Sequence, residues 1–295
     1  KIVMRLLKKS GGIPTLPDLG LRGLALKNLE TNILRPHGII LVTGPTGSGK
    51  TTTLYAVLSK LNTTRVNIMT LEDPVEYEMA GINQVQINPQ AGLTFATGLR
   101  SFLRQDPNII LVGEIRDTET TDLAIQAALT GHLVFSTLHT NNAAGAIPRL
   151  LDLGAEPFLV ASALNAVVGQ RIARRVCPAC KEEYEPDEAV KKDIVAALGD
   201  LLAKDKPVKL YRGRGTVDGQ PCGTCGGSGY VGRVGIFEVF SVTEAISKLI
   251  LTRTPMRDIE SQAIADGMIT MKQDGYMKAV EGVTTLEEVL RVAQD

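Results

Sequence analysis

The chain has 295 residues, 44% of them hydrophobic, which is enough to bury a sizeable core and excludes disorder as its overall state. Its 32 Lys and Arg balance 32 Asp and Glu, which argues against a dedicated nucleic-acid binder. Aromatics at 4%, with no Trp, argue against a stacking platform for single strands. Nor does any apolar run reach the roughly eighteen residues of a membrane span, and no signal-peptide pattern opens the chain, so we expect an intracellular protein with no lipid insertion of its own. Residues 1–20 combine a short apolar stretch with Gly11, Gly12, Pro14 and Pro17. They read as the remnant of a preceding domain followed by a linker, and the start at Lys1 as a cut from something longer.

From residue 38 the run Ile39-Ile40-Leu41-Val42 predicts a buried strand, followed by a glycine-rich turn and a helix to about residue 61. Residues 66–71 predict a second strand, stopped by Glu72-Asp73-Pro74, and residues 92–105 a helix. Residues 108–113 and 132–137 read as further strands apolar on both faces, with helices at 118–130 and 142–153. Such an alternation predicts an α/β fold on a largely parallel sheet covered on both sides, over residues 21–171. Residues 172–235 carry all four cysteines among Gly, Pro and charge, too poor in apolar periodicity for a conventional core. Residues 236–295 read as a helical subdomain with helices at 242–251, 256–266, 268–281 and 285–293, the last capped by Thr284-Thr285 ahead of Glu287 and Glu288.

The turn after the first strand, Gly44-Pro45-Thr46-Gly47-Ser48-Gly49-Lys50-Thr51, matches the phosphate-loop pattern in full, with strand before it and helix after it. Its glycines let successive backbone N–H groups point inward at a phosphate, and the helix N-terminus adds favourable potential. Lys50 is the point charge for the β- and γ-phosphates, and Thr51 the hydroxyl for Mg²⁺, with Thr52 beside it in the first helical turn. Turnover needs a carboxylate as well, and two acidic clusters stand at strand ends, where open α/β sheets bind ligands. Glu114, after the strand at 109–112, is placed to orient the lytic water. Glu72 and Asp73 could hold the metal's waters. His132 and His139 bracket the next strand and could sense the γ-phosphate or be ordinary hydrogen-bonded residues. Arg100, Arg104 and Arg116 could neutralise transition-state charge, within a subunit or across an interface, or form surface ion pairs.

Cys177-Pro178-Ala179-Cys180 and Cys222-Gly223-Thr224-Cys225 each form a tight turn that aims two sulfurs at one point. Four thiolates suit a closed tetrahedral Zn²⁺ site, the alternatives being a redox disulfide or unliganded thiols. The 41 residues between the pairs exceed a compact zinc ribbon and predict a long loop or a helical insert near 188–203.

Taken together these segments resemble the type II secretion ATPases and their relatives, the type IV pilus assembly ATPases, over nearly the whole chain. The carriers are residues 44–55, the acidic box Leu71-Glu72-Asp73-Pro74-Val75-Glu76, the run from Arg100 to Pro107, the segment 109–117, and the histidine boxes Thr130-Gly131-His132 and Ser136-Thr137-Leu138-His139. The resemblance implies a RecA-like motor hydrolysing ATP with Mg²⁺. It implies a homohexamer at the cytoplasmic face of the inner membrane, working with the platform and cytoplasmic-domain proteins of a secretion machine. It also implies Glu114 as activator of the lytic water, functional His132 and His139, and N-terminal-domain arginines such as Arg5 near the nucleotide. The tetracysteine element is similar to that of secretion and pilus-assembly members and lacking in retraction motors. Two other classes compete: a nucleic-acid translocase on the same core, disfavoured by the charge balance, and a non-hydrolysing nucleotide-binding module, disfavoured by Glu114.

Overall fold

The computed structural model describes residues 12–202 and 207–293. After helix α1 (Gly23–Ile33), strand β1 (Gly38–Thr43) leads through the glycine-rich turn into α2 (Lys50–Leu61). There follow β2 (Ile68–Glu72), β3 (Asn83–Gln86), α3 (Phe95–Phe102), β4 (Ile109–Val112), α4 (Thr118–Leu129) and β5 (Leu133–Leu138). Two short helices, α5 (Ala146–Asp152) and α6 (Pro157–Ala163), then precede the long strand β6 (Leu164–Val176). Next come β7 (Lys181–Tyr184), α7 (Glu188–Leu198), β8 (Leu210–Gly213), β9 (Thr216–Val217), β10 (Gln220–Pro221) and the long β11 (Tyr230–Ser241). The chain closes with α8 (Glu244–Leu251), α9 (Met256–Ala265), α10 (Met271–Val280) and α11 (Leu286–Val292).

Seven strands form one sheet in the order β11-β6-β1-β5-β4-β2-β3. Every pairing in it is parallel except β11 on β6. The apolar runs occupy its centre, and their alternate residues face opposite ways. Ile39 and Leu41 join the core under α3–α6, α8 and α9, while Ile40 and Val42 join the core under α1 and α2. The doubly covered α/β sheet expected from the sequence is therefore present.

Helix starts follow their caps. Thr94 and Thr97 form a reciprocal capping box on α3, and the Asp117 carboxylate accepts from Thr120 N–H at 2.8 Å to open α4. Thr285 caps α11, as its position ahead of Glu287 and Glu288 predicts. Other expectations move. The helix expected over 92–105 is only α3, because a single 3₁₀ turn precedes it and Asp106, at positive φ ahead of Pro107, follows. The helix expected from 142 starts at Ala146, since the Asn142 side chain instead accepts from Gly145 N–H at 2.9 Å in a turn.

β6 and β11 are the two longest strands. The boundaries drawn at 171 and 235 fall inside these two strands, which pair from Ser241 opposite Ala166 to Tyr230 opposite Val176. They run out of the main sheet into a third core, where Ala173, Val234 and Ile236 meet Ile194 of α7, Tyr276 of α10 and Val289 of α11. Residues 236–241 are thus strand, and the C-terminal helices begin at Glu244. The insert expected near 188–203 is α7 with a 3₁₀ turn to Leu201, flanked by the antiparallel pair β7–β8. Ala203, and Arg5 with residues 1–11, lie outside the described residues. Among the described residues no helix is long and apolar enough to cross a membrane.

Candidate nucleotide site and cysteine cluster

The parallel strands bring their C-terminal ends to one edge, and a cleft of about 830 Å³ opens there. Residues 46–52, Asp73, Glu114, His139 and Gln170 all line it. Gly44, Gly47 and Gly49 take positive φ of 148°, 80° and 83°. A Cβ on Gly44 would stand 2.4 Å from the Gln170 carbonyl oxygen, so only glycine lets the loop pass beneath β6. No side chain caps α2, which leaves its first-turn N–H groups, at Thr51 and Thr52, directed at the cleft. The Ser48 hydroxyl is buried without a hydrogen-bond partner in the same loop. An orphaned donor beside an uncapped helix start fits a polyphosphate.

The Lys50 ammonium donates to the carbonyls of Gly44 (2.8 Å) and Pro45 (3.1 Å), folded over the mouth of its own loop. Burial lowers its proton affinity, the Glu114 carboxylate opposes that, and Arg171 adds to it. Thr46 and Thr51 are exposed to the cleft. Glu114 projects from the end of β4, a position fixed by two cross-strand bonds: Ser136 Oγ donates to Val112 O at 2.7 Å and Thr137 Oγ1 to Gly113 O at 2.8 Å. Its Oε2 lies 2.6 Å from Arg116 Nε and 3.6 Å from His139 Nε2, with the side chain 14% exposed. His139 is held below the ordinary imidazole value, first by burial and then by Lys50, with Glu114 opposing and Arg116 assisting. Its resting form is therefore neutral.

Glu72 and Asp73 separate in character. Glu72 is 3% exposed and accepts from the hydroxyls of Tyr55 and Thr70 and from Gln84 Nε2 at 3.2 Å. Burial, and then the Glu72 contact, push the Tyr55 hydroxyl well above its usual range. Glu72 is thus occupied in holding β2 and β3 to α2, and the exposed Asp73 is the acid left free at the cleft.

Three expected residues are not brought to the site. His132 precedes β5 at its N-terminal end, roughly 16 Å from the phosphate loop at about 3.3 Å per residue. There its Nδ1 lies 2.8 Å from Ala127 O and its N–H donates to the same carbonyl at 3.1 Å, closing α4. Arg100 pairs with Glu119 and Arg104 is exposed; neither lines the cleft. The two histidines look alike in sequence, but a parallel strand sends its two ends to opposite edges of the sheet.

Sequence reasoning also passed over Gln170. Its Nε2 donates to Ser48 O at 2.7 Å, and its Oε1 accepts from Thr53 at 2.8 Å, pinning the phosphate loop to β6. The signal available was a polar residue at the end of the apolar run Ala166-Val167-Val168.

The four cysteines converge although forty-one residues separate the pairs. Their sulfurs all lie within 4.8 Å of one another, with Cys177 to Cys222 at 3.9 Å and Cys180 to Cys225 at 3.7 Å. A tetrahedron of Zn–S bonds of about 2.3 Å has an edge of about 3.8 Å, so the spacing fits that ion. All four thiols are free of disulfides, and two of the sulfurs accept backbone N–H groups, Cys180 Sγ from Gly215 at 3.4 Å and Cys225 Sγ from Gly229 at 3.3 Å, contacts that favour a thiolate.

Comparison with known proteins places this geometry. A family model described as "Type II/IV secretion system protein" matches residues 1–291. The chain is 50% identical over 290 residues to the type IV pilus assembly ATPase PilB of Thermus thermophilus, covering 98% of this chain and 32% of that protein. It is 48% identical over 295 residues to the type II secretion system protein E of Pseudomonas aeruginosa, covering 100% of this chain and 56% of that one. The chain therefore spans between a third and just over half of these curated relatives. Among solved structures it is similar to the pilus retraction motor PilT with bound ADP, at a TM-score of 0.70 and 29% identity, covering 99% of this chain and 69% of the other.

Proposed function

The chain belongs to the type II/IV secretion system protein family, and from that premise we propose that it is the ATP-hydrolysing motor segment of a protein that assembles a type II secretion pseudopilus and so drives protein export across the outer membrane. The observation that carries the reading is the convergence on one cleft of Lys50, the partnerless Ser48 hydroxyl and the Glu114 carboxylate. ATP enters with its phosphates on the backbone N–H groups of residues 47–52. Lys50 exchanges its bonds to the Gly44 and Pro45 carbonyls for the β- and γ-phosphate oxygens, at little electrostatic cost because both are acceptors. Thr51 and Asp73 would hold Mg²⁺, which would supply positive charge against the phosphates. Glu114 accepts the proton of a water as that water's oxygen bonds to the γ-phosphorus. The bond from phosphorus to the bridging oxygen breaks, and ADP leaves with that electron pair. His139, neutral beside Glu114, is placed to donate to the γ-phosphate without competing with Lys50 for its charge.

Arg100 and Arg104 do not face the cleft of their own chain, so their catalytic role belongs across a subunit boundary, in a hexamer working at the cytoplasmic face of the inner membrane. The cysteine cluster holds a structural Zn²⁺ and presents the surface around it to a partner of the membrane platform. Domain limits near residues 20, 171 and 235 remain part of this proposal, with β6 and β11 as the shared spine. Type IV pilus assembly is the second reading, favoured by 50% identity to a pilus assembly ATPase against 48% to a secretion protein.

Steady-state ATPase of the longer protein containing this chain tests the assignment when measured alone, with the platform protein of each system, and with duplex DNA. Stimulation by the secretion platform is expected. Stimulation by the pilus platform alone moves the assignment to pilus assembly, and stimulation by DNA alone contradicts both.

A further inference from the structure

The side chain of Glu238 is 3% exposed, sits in the C-terminal half of β11 and makes no ion pair among the described residues. Each of its oxygens instead accepts one backbone N–H from a different part of the molecule. Ala143 N–H donates to Oε1 at 2.6 Å, and Met271 N–H, at the start of α10, donates to Oε2 at 3.1 Å. Ala143 belongs to the segment between β5 and α5 that begins with His139. Two further contacts hold that segment, the donation of Arg171 to Asn141 O at 2.5 Å and the long approach of Thr43 Oγ1 to Asn142 O at 3.5 Å. Room for the carboxylate is made across the ladder, where Gly169 pairs with Glu238. A Cβ at Gly169 would lie 2.7 Å from Glu238 Cγ and Oε1 and 3.0 Å from Ala143 N. The neighbour of Gly169 is Gln170, which pins the phosphate loop. Burial raises the proton affinity of this carboxyl group and the two N–H donors, one at the N-terminus of a ten-residue helix, oppose that; each donor is fixed to the same side chain, and neither can shift without losing its partner.

We propose that Glu238 is a positioning residue for the hydrolytic reaction: its carboxylate sets the place of the His139 segment against Glu114 and ties that placement to helix α10, so that movement at the cleft is passed to the C-terminal helices. This rests on the reading of the cleft as an ATPase site. A residue that acts through His139 alters the chemical step rather than nucleotide affinity, and a misplacement of under an ångström costs on the order of tenfold in rate.

The test compares wild type, Glu238→Gln, His139→Ala and the double variant by ATP turnover and ADP affinity, with peptide-resolved hydrogen exchange over 139–146 and 268–274. In Glu238→Gln one of the two N–H groups must face an amide NH₂ in place of an acceptor. Expected are a fall in kcat of about tenfold with ADP affinity unchanged, no further fall when His139 is already Ala, and exchange faster by about tenfold in both segments together. Tyr276→Phe, which cuts the α10 bond to Asp193 (2.5 Å), is the control for general loosening of the helix, expected to leave kcat and the 139–146 segment alone. If Glu238→Gln does not fold, Gly169→Ala displaces the same carboxylate without removing it, and the same paired change in exchange is expected. Turnover equal to wild type, or faster exchange confined to 268–274, overturns the inference. A wild-type chain without turnover in any assembly overturns the ATPase reading instead, while the exchange comparison still decides whether Glu238 couples the two segments.

Discussion

At the scale of single residues the cleft is a balance of charges held close together. Lys50, Arg116 and His139 share the one carboxylate of Glu114, and the imidazole yields by staying neutral. Removing Arg116 should reverse part of this. Arg116→Ala takes away a cation that disfavours the protonated ring and frees Glu114 to favour it, so both effects raise the His139 pKa. NMR titration of the three histidines, with His139 assigned by His139→Gln, should place it below about 6.5 in wild type and higher in Arg116→Ala. No shift, or a downward one, contradicts the described geometry. Lys50→Ala should weaken nucleotide binding by at least tenfold, on the order expected for a lost charge-assisted contact to phosphate. Unchanged ADP affinity would place the phosphates elsewhere.

Among the elements, β6 and β11 determine the architecture, because they carry the nucleotide core, the cysteine cluster and the C-terminal helices on one ribbon. The parallel strands were legible in the sequence because each is a short run apolar on both faces. β6 and β11 were not, because Gly169, Gln170, Arg174, Arg175, Gly232 and Arg233 interrupt their apolar pattern. Among them Gly169 serves a close approach to Glu238, Gln170 pins the phosphate loop, and Arg174 pairs with Glu288. The phosphate loop and the cysteine turns are local motifs and could be read directly, whereas the roles of His132, Glu72 and Glu238 depend on which elements the topology brings together. The ribbon also yields two predictions. Lys278, 2% exposed in α10, donates to Asp274 and to Gly235 O of β11 (2.8 Å). Lys278→Met removes the buried cation beside Asp274, leaving that carboxylate the Phe237 N–H at 2.8 Å and the long approach of Arg22 at 3.9 Å, and should cost about 3 kcal/mol in denaturant unfolding. A cost below about 1 kcal/mol would show that the pair is not held as described. Protein purified without chelator should carry about one Zn per chain, and paired Cys→Ser changes should loosen residues 177–225 in hydrogen exchange. Metal content below about a tenth of an equivalent would count against the site.

For the whole molecule the account places binding, the general base and Arg116 within one cleft, and gives Arg100 and Arg104 a role only across a subunit boundary. The γ-phosphoryl transition state spreads charge that Lys50 and Mg²⁺ do not fully cover, and a missing arginine can lower turnover by on the order of a thousandfold. The chain on its own is thus expected to bind nucleotide and hydrolyse it slowly. Joining it to a six-fold scaffold should raise the rate per subunit. Fast turnover independent of concentration down to a monomer seen by light scattering contradicts that dependence. The measurement closest to the central claim compares ADP affinity and ATP turnover for wild type and Glu114→Gln in the same assembled protein. The account predicts affinities within about threefold of each other and turnover lower by on the order of a hundredfold or more in Glu114→Gln; equal turnover in the two proteins would contradict it.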